Sequence, residues 1–278
     1  MNMFMEITIR NLWNIKPLKP EDYKKDGLWY CGKCGMPREK HFVDPSDKSE
    51  YNIPIDCRCI DEAFQEEQKE KELKKRAEIE HKRTLCFADS EMADWCFEND
   101  DGKSDNHAMQ IARNYVNNFE KLRADGVGLF IHGDVGVGKS FMAACIVNAL
   151  IDNEKACLMT DFTTVIDDLW KNDDRNAYRR NLNDTTLLVI DDLGREHDSK
   201  YTREIVSSIL DVRCRSKRPM ILTSNLSPDD LMKDAPTDLK RIYSRIFKLC
   251  IPVEFKGIDR RRVQMIQNTL KYHDILGL

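Results

Sequence analysis

The sequence predicts an α/β fold in which a parallel sheet is flanked by helices, behind a small cysteine-bearing module and a helical linker. Apolar, β-branched runs alternate with helical patterns in the second half of the chain, as in parallel sheets buried on both faces. One of these runs leads into a glycine-rich loop that opens an apolar helix. Four of the ten cysteines lie in the first 60 residues. We therefore expect three segments: a module at 1–60, a linker at 61–103 and the α/β domain at 104–278.

The cysteines of the module are spaced like metal ligands. Cys31 and Cys34 form a C-x-x-C knuckle, and Cys57 and Cys59 supply a second pair. Four thiolates suit tetrahedral Zn²⁺, and a segment this short cannot form much of a core without such support. We expect the intervening loop, rich in Asn, Asp, Pro and Ser, to bring the pairs together. His41 is an alternative ligand, and a set of unliganded thiols is the other interpretation.

Four basic residues surround these cysteines: Lys33, Arg38, Lys40 and Arg58. They predict a somewhat basic surface that permits contact with nucleic acid. Zinc modules also bind proteins, and charge of this kind is often only solvated, so these alternatives stay open.

Residues 61–83 are a dense mixture of Glu, Lys and Arg without Pro or Gly. Opposite charges four residues apart, such as Glu70 and Lys74, support an exposed helix. Because the apolar positions are too sparse for a sustained heptad, we predict a solvated helical connector, with a partner-binding helix as the alternative. Residues 84–101 then enter the α/β domain through three aromatic anchors, Phe87, Trp95 and Phe97.

The glycine-rich loop fits G-x-x-x-x-G-K-[ST], the phosphate-binding loop of nucleoside triphosphatases. We expect the loop and the residue after it to bind ATP: Gly133, Asp134, Val135, Gly136, Val137, Gly138, Lys139, Ser140 and Phe141. Glycines let backbone N–H groups turn towards phosphate oxygens, while Lys139 should reach the β- and γ-phosphates and Ser140 should bind Mg²⁺. A buried strand at 127–132 and an apolar helix at 141–150 flank the loop, so a helix dipole faces the triphosphate.

The remaining elements continue this alternation. Ser104 is predicted to cap a helix that runs to about Ala124. Further along, the pattern predicts a strand at 156–159, helices at about 163–182, a strand at 185–192, a helix at 201–216 and a strand at 218–225. The helix at 201–216 should bury a stripe formed by Ile205, Ile209, Leu210 and Val212.

Polar residues end two of these strands. Asp191 and Asp192 close one apolar strand, and Asn225 closes another. Ligands of parallel sheets bind at the carboxyl ends of the strands, so these residues should share one site with the phosphate loop. We expect Asp191 to hold Mg²⁺, Asp192 to polarise the attacking water, and Asn225 to orient that water or sense the γ-phosphate. An ordinary strand exit and a turn asparagine are the alternatives.

The stretch 238–262 is basic, and Arg241 and Arg245 lie four residues apart, on one face of a helix. An arginine that reaches a neighbouring subunit's γ-phosphate accelerates hydrolysis. A solvated or DNA-facing basic helix is the alternative, and the sequence barely separates the two.

Composition limits the class of protein. The net charge of −4 argues against a generally basic coat for nucleic acid. No apolar run approaches the roughly 20 residues of a membrane helix, and residues 1–10 lack the core of a signal peptide. We therefore expect a cytoplasmic protein without a membrane partner. In that reducing compartment the other six cysteines should be thiols, most of them small core residues: Cys86, Cys96, Cys145, Cys157, Cys214 and Cys250.

Three motifs carry a family resemblance: the phosphate loop, the strand 187–192 with Leu-Gly-Arg-Glu after it, and Thr-Ser-Asn-Leu at 223–226. They resemble the DnaC/DnaI helicase loaders and the related IstB transposition ATPases, which are AAA+ proteins, over about residues 106–262. The resemblance implies an ATPase that works as a homo-oligomer in its ATP state, binds single-stranded DNA and acts on a replicative helicase. It also implies that Asn225 is sensor 1 and Arg245 the arginine finger. The second sensor arginine is then Arg261, with Arg260 and Arg262 as alternatives.

We therefore predict an ATP-dependent helicase loader whose cysteine module holds the helicase and whose basic ATPase surface holds DNA. An IstB-like transposition helper is the alternative, although those proteins usually lack the cysteine module. A small-molecule kinase that shares the phosphate loop ranks below both. A protein that uses ATP only as a conformational switch overlaps with the loader.

Overall fold

The computed structural model describes residues 16–87, 89–102, 105–194 and 200–277, without the side chains of Lys200, Asp234 and Asp274. The predicted cap Ser104 and two residues of the resemblance motif, Arg195 and Glu196, lie outside the described residues, as does the segment 1–10. The chain divides into two compact units, one up to Ala77 and the other from Glu78.

Two antiparallel hairpins form the first unit. Strand β1 (Tyr23–Lys25) pairs with β2 (Leu28–Tyr30), and β3 (Glu39–Val43) pairs with β4 (Glu50–Pro54). The second hairpin occupies the segment between the cysteine pairs, where we expected a loop. That expectation was wrong, because aromatic and β-branched side chains on both strands favour cross-strand pairing over the polar composition around them.

Arg38 lies at the centre of the first unit, and the prediction that it belongs to a basic surface was wrong. Its side chain and that of Asp22 are fully buried, with Nη1 3.5 Å from the Asp22 carboxylate. The guanidinium also donates to the main-chain oxygens of Lys16 at 2.6 Å and Ile55 at 3.2 Å. A buried charge must be paired and hydrogen-bonded, and here it joins distant parts of a small unit.

A long helix, α1 (Arg58–Cys86), follows the second cysteine pair. Its exposed surface carries ion pairs four residues apart, including Glu70 with Lys74 and Glu72 with Arg76. Such pairs stabilise a helix by about 0.3–0.5 kcal/mol each. The charged segment is therefore helical, as predicted, and the helix extends beyond the expected bounds at both ends.

A five-stranded parallel sheet is the centre of the second unit. Its strands are β5 (Gly128–His132), β6 (Cys157–Asp161), β7 (Leu187–Asp191), β8 (Met220–Ser224) and β9 (Cys250–Glu254), and they lie in the order β6-β7-β8-β5-β9. The helices around it are α2 (Asn106–Asn117), α3 (Phe119–Asp125), α4 (Lys139–Asp152), α5 (Phe162–Lys171), α6 (Arg175–Asp184), α7 (Lys200–Arg215), α8 (Pro228–Asp234), α9 (Thr237–Leu249) and α10 (Arg260–Leu276). The predicted α/β fold with a parallel sheet is confirmed.

Neighbouring side chains of the central strands pack into different cores. Leu129 and Ile131 of β5 join one buried cluster, whereas Phe130 joins the other. Alternation of this kind places helices on both faces of the sheet. The six cysteines outside the cluster are buried or half-buried thiols in this unit, as predicted.

Several local predictions need correction. Strand β9 is unpredicted: it lies at the sheet edge and contains Pro252, which an edge strand tolerates although it lacks an N–H donor. The helix expected to run to Ala124 is two helices, α2 and α3, and the side chain of Asp105 caps the first. Val212 lies on the exposed face of α7, and the buried stripe contains Val206 in its place.

Two short 3₁₀ turns, at Ser90–Asp94 and Phe97–Asn99, lead from α1 to α2. The predicted anchors Phe87 and Phe97 are buried, and Trp95 is half-buried against the same core. No helix among the described residues is long and apolar enough to cross a membrane.

Arg213 of α7 connects main-chain segments at the edge of the sheet where the strands begin. It is fully buried and donates to the main-chain oxygens of Asn183 at 2.9 Å, Thr185 at 2.8 Å and Pro219 at 2.8 Å. Burial lowers the pKa of Arg213 to about 10, so it remains charged at neutral pH. The side chain therefore ties the start of β7 to the start of β8.

We expect Arg213→Ala to lower the free energy of unfolding by about 3 kcal/mol or more, because several buried carbonyl groups lose their donor. Denaturant unfolding measures this loss. The matched control is Arg215→Ala, two residues further along α7, where the side chain is 69% exposed. That variant should change stability by about 1 kcal/mol at most. Equal losses in the two variants would contradict the role given to Arg213.

Candidate nucleotide site and cysteine cluster

The phosphate loop joins β5 to α4, and its glycines have a backbone that other residues rarely adopt. Gly133, Gly136 and Gly138 have φ angles of 150°, 78° and 116°. A Cβ on Gly136 would lie 2.0 Å from the carboxylate of Asp259, and one on Gly133 would lie 2.2 Å from the main-chain oxygen of Phe255. Glycine is required at both positions because other parts of the chain approach the loop so closely.

Lys139 points into the loop, with its ammonium group on three oxygen acceptors. Nζ donates to Oδ1 of Asn225 at 2.7 Å, and to the main-chain oxygens of Asp134 at 2.7 Å and Gly133 at 3.0 Å. Burial lowers the pKa of Lys139, and the carboxylates of Asp192 and Asp191 oppose that shift. Lys139 and Asn225 are thus brought together from elements 86 residues apart.

Ser140 and Asp191 face each other beside this lysine. The Ser140 hydroxyl lies 2.9 and 3.1 Å from the two carboxylate oxygens of Asp191. Burial raises the pKa of Asp191, and its hydrogen bonds with Thr223 and Ser140 act in the opposite direction. A hydroxyl and a carboxylate are ligands that Mg²⁺ prefers, and a cation here would offset the cost of burying the carboxylate. The donor set therefore fits Mg²⁺.

Asp192 follows in a strained backbone conformation, with φ of 56°. Its N–H donates to the hydroxyl of Thr223 at 2.9 Å, and the Asn225 amide donates to its carboxylate at 3.4 Å. Left-handed geometry is uncommon outside glycine and clusters at functional sites. Asp191, Asp192 and Asn225 therefore meet at the carboxyl edge of the sheet, next to the phosphate loop.

A cavity of about 320 Å³ opens over these residues. Asp192 and Asn225 line it, together with most of the phosphate loop: Val135, Gly136, Gly138, Lys139, Ser140 and Phe141. Asp134 accepts a hydrogen bond from Lys139 with its main-chain oxygen, and Val137 is buried in the core. The wall is completed by Trp95, Arg260 and Arg261.

Trp95 lines the cavity, whereas the sequence predicts it only as an aromatic anchor of the domain. Its ring centroid lies 5.8 Å from that of Phe141, with the planes at 51°. The only sequence signal for this position is an aromatic residue in the segment that enters the domain.

The cavity distinguishes between the three neighbouring arginines at the start of α10. Arg260 and Arg261 line it, whereas Arg262 is not among its lining residues.

Arg245 is not brought to this cavity. It lies on α9, where its side chain is 56% exposed and pairs with Asp211. Arg241 and Arg245 line one shallow concavity of about 400 Å³, as expected for residues on the same helix face. Among the described residues, Arg245 is therefore not part of the cavity wall of its own chain.

The four cysteines of the first unit come together. The sulfur atoms of Cys31, Cys34, Cys57 and Cys59 all lie within 4.8 Å of one another, and Cys59 Sγ is 3.5 Å from Cys31 Sγ and 3.4 Å from Cys57 Sγ. Tetrahedral zinc with Zn–S bonds of about 2.3 Å requires sulfur separations of roughly 3.8 Å. The cluster therefore fits Zn²⁺. The alternative ligand His41 instead contacts Asn52 Oδ1 at 3.3 Å across the hairpin.

Comparisons with known proteins agree with this architecture. The sequence profile of the bacterial DnaA ATPase domain matches residues 93–246. The replicative helicase loader DnaI of Bacillus subtilis strain 168 is 30% identical over 149 residues, which are 49% of this chain and 48% of that protein. The replicative helicase loader DnaC of Escherichia coli strain K12 is 32% identical over 133 residues, 46% of this chain and 53% of that protein.

A crystal structure of DnaI superimposes with a TM-score of 0.54 at 26% identity, covering 64% of this chain and 98% of that one. The predicted resemblance to DnaC/DnaI loaders and the AAA+ α/β fold are confirmed. The chain spans about half the length of the curated relatives it matches.

Proposed function

Because this chain belongs to the family of the bacterial DnaA ATPase domain, we propose that it is an ATPase that loads a replicative DNA helicase onto single-stranded DNA in the cytoplasm. The observation that carries the loader function is the similarity of its ATPase region to the DnaI and DnaC replicative helicase loaders. The assembled phosphate-loop site supports the ATPase part. In the ATP state the protein acts as a homo-oligomer.

ATP binds in the cavity over the phosphate loop. Lys139 exchanges its contacts with Asn225 and the loop carbonyls for the β- and γ-phosphates, and the N–H groups of the loop donate to phosphate oxygens. Ser140 and Asp191 hold Mg²⁺, which neutralises charge that develops on the phosphates. Arg261 contacts the nucleotide from α10, the helix whose start lies at the rim of the cavity.

Hydrolysis then depends on groups at the strand ends. The Asp192 carboxylate orients the attacking water and accepts a proton from it. Asn225 fixes the position of that water or senses the γ-phosphate. Arg245 supplies a positive charge to the γ-phosphate held by a neighbouring protomer, because it lies away from the cavity of its own chain. Oligomer formation therefore completes the site.

The three segments divide the work. Residues 1–60 form the docking module for the helicase, with zinc held by Cys31, Cys34, Cys57 and Cys59. Residues 61–103 connect this module to the ATPase domain at 104–278. A zinc-supported hairpin module with an exposed aromatic side chain, Phe42, whose ring centroid lies 5.2 Å from that of the half-buried Tyr51, suits contact with a protein surface.

Single-stranded DNA binds the ATPase domain at an exposed aromatic and basic surface. Trp170, at the end of α5, is 61% exposed and stacks near Tyr201 of α7, with ring centroids 5.4 Å apart. The guanidinium of Arg175 lies 5.5 Å from the Trp170 ring centroid, and Arg180 is exposed on the same helix as Arg175. Exposed rings stack on bases and neighbouring arginines neutralise phosphates, so this surface suits unpaired nucleotides.

Trp170→Ala should weaken binding of a fluorescent oligothymidylate by about 1–3 kcal/mol, roughly 5- to 150-fold in Kd. The control is Tyr272→Ala, which removes another exposed ring with a nearby cation, Lys271 at 5.1 Å, on α10. Fluorescence anisotropy at one fixed salt concentration measures both variants. Unchanged affinity in Trp170→Ala, or an equal loss in Tyr272→Ala, would place the DNA elsewhere.

Lys139→Ala should reduce ATP turnover by about 100- to 1000-fold, because the phosphates lose the one ammonium group within the loop. Release of phosphate and binding of a fluorescent ATP analogue measure the two steps separately. Lys155→Ala is the matched control, since this lysine pairs with Glu120 and does not line the nucleotide cavity. Wild-type turnover in Lys139→Ala would remove the assigned site.

The loader function is tested by mixing the full-length protein with its host's replicative helicase. We expect the two proteins to form a complex on size-exclusion chromatography in the presence of ATP. We also expect the helicase to be loaded onto circular single-stranded DNA, which has no free end for it to thread onto. A helicase from an unrelated bacterium is the control. If no complex forms with ATP or ADP, the transposition-helper alternative gains weight.

A further inference from the structure

We propose that Thr223 is a positioning residue for the nucleotide site: its hydroxyl group holds the carboxylate of Asp191 and the backbone of Asp192 at the same time. This inference rests on the proposed ATP and magnesium site and deepens it. Thr223 is fully buried in β8, so it touches neither solvent nor the nucleotide cavity. Its effect reaches the chemistry only through the two acidic residues.

The register of the sheet explains why the contact forms. Strands β7 and β8 are parallel, with Ile190 opposite Leu222. Asp191 and Thr223 are the next residues of the two strands, so they lie side by side at the carboxyl edge of the sheet. The Thr223 hydroxyl donates to Oδ1 of Asp191 at 2.5 Å.

The same hydroxyl oxygen accepts the N–H of Asp192 at 2.9 Å. A threonine hydroxyl has one proton and two lone pairs, so it can make both contacts together. Asp192 has φ of 56°, and a backbone in that region persists only where its surroundings hold it. The main-chain oxygen of Thr223 also accepts the N–H of Leu193 at 2.8 Å, which extends the support along the turn.

Two consequences follow for the acidic turn. The hydroxyl fixes the orientation of the Asp191 carboxylate, whose oxygens also lie 2.9 and 3.1 Å from the Ser140 hydroxyl. By holding the backbone of Asp192, it also sets the direction in which the Asp192 side chain points from the strand end. The carboxylate lies there beside the Asn225 amide. Serine could make the same contacts, whereas valine has the shape of threonine without a donor or acceptor.

The experiment measures magnesium dependence in three variants of the full-length protein. Thr223→Val removes the hydroxyl group and keeps the side-chain volume, whereas Thr223→Ala removes both. Thr223→Ser keeps the hydroxyl group. The matched control is Thr160→Val in β6, where the buried hydroxyl donates only a weak contact, 3.4 Å, to the main-chain oxygen of Asp161. A fluorescent ATP analogue is titrated at increasing Mg²⁺ and again with EDTA, and melting temperatures report folding.

We expect Thr223→Val and Thr223→Ala to need about 10- to 100-fold more Mg²⁺ for tight nucleotide binding, the usual effect of removing a group that orients a metal ligand. Affinity in EDTA should stay within about threefold in every variant, since the phosphate loop is intact. Thr223→Ser and Thr160→Val should resemble the wild type. If Thr223→Val does not fold, Thr223→Ala alone decides the result.

Wild-type magnesium dependence in both variants without the hydroxyl would overturn the inference, and so would a Thr223→Ser variant as impaired as Thr223→Ala. These results leave the proposed function intact, because the wild type still binds nucleotide with magnesium. A wild type that shows no magnesium-dependent binding would instead remove the proposed site, and this inference with it.

Discussion

Replacing Arg245 with alanine should lower ATP turnover by the assembled protein about 1000-fold or more, while ATP binding by a single protomer stays unchanged. Arg245 lies outside the lining of the cavity in its own chain, so we expect its charge to act on the nucleotide of a neighbouring protomer. Its pairing with Asp211 is no obstacle, because an exposed ion pair contributes at most about 1 kcal/mol and is readily exchanged for a phosphate.

Phosphate release measured against protein concentration separates the two roles. Wild-type turnover should rise more steeply than the protein concentration, and Arg245→Ala should lose that rise. Arg215→Ala is the control, because Arg215 pairs with the same carboxylate at 2.9 Å from α7. Equal losses in both variants would assign the effect to Asp211 and not to an arginine that crosses between protomers.

A mixture of two inactive variants tests the same proposal directly. Lys139→Ala protomers retain Arg245 but should turn over almost no ATP themselves, and Arg245→Ala protomers should bind ATP but lack the arginine. If the arginine acts between protomers, the mixture should regain a substantial part of wild-type turnover. A mixture as inactive as its components would show that both residues must belong to one chain.

The arrangement of the candidate nucleotide site could be predicted in large part because most of its residues lie in short, continuous sequence motifs. The phosphate loop is one continuous motif, and Asp191 and Asn225 each end an apolar strand. Parallel strands bring their carboxyl ends to one edge, so the meeting of these residues follows from the fold class alone. Thr223 and Trp95 could not be assigned in this way, because their contacts depend on strand register and on the path of the entering chain.

The missed features share another physical reason. Arg38 and Arg213 are buried, although charged residues usually lie on the surface unless main-chain oxygens or acidic groups surround them. No periodic pattern in the sequence shows which residues will supply those oxygens and acidic groups. Strand β9 is short, contains Pro252 and follows α9 directly, so neither composition nor a turn signal separates it from the helix. The hairpin of β3 and β4 is similarly hidden by the polar residues around its turn.

Removing zinc should abolish the helicase complex and unfold the first unit. Among the described residues, the buried apolar cluster at the four cysteines consists of Cys31, Cys57 and Ile60, with Cys59 packed against it. Structural zinc contributes about 10–16 kcal/mol to the folding of comparable small modules. A core of this size cannot replace that contribution, so a chelator or Cys31→Ser should remove the metal and the docking surface together.

Metal content, far-UV circular dichroism and helicase binding should therefore change together, while ATP binding at the phosphate loop stays within about twofold, since none of its groups belongs to the cluster. Cys96→Ser is the matched control, a half-buried thiol outside the cluster that should keep zinc and the helicase complex. His41→Asn distinguishes the ligand sets, because zinc should survive it if the four cysteines hold the metal. Zinc retained in Cys31→Ser would contradict the assignment, and a zinc-free Cys31→Ser that still binds the helicase would separate the metal from the docking role.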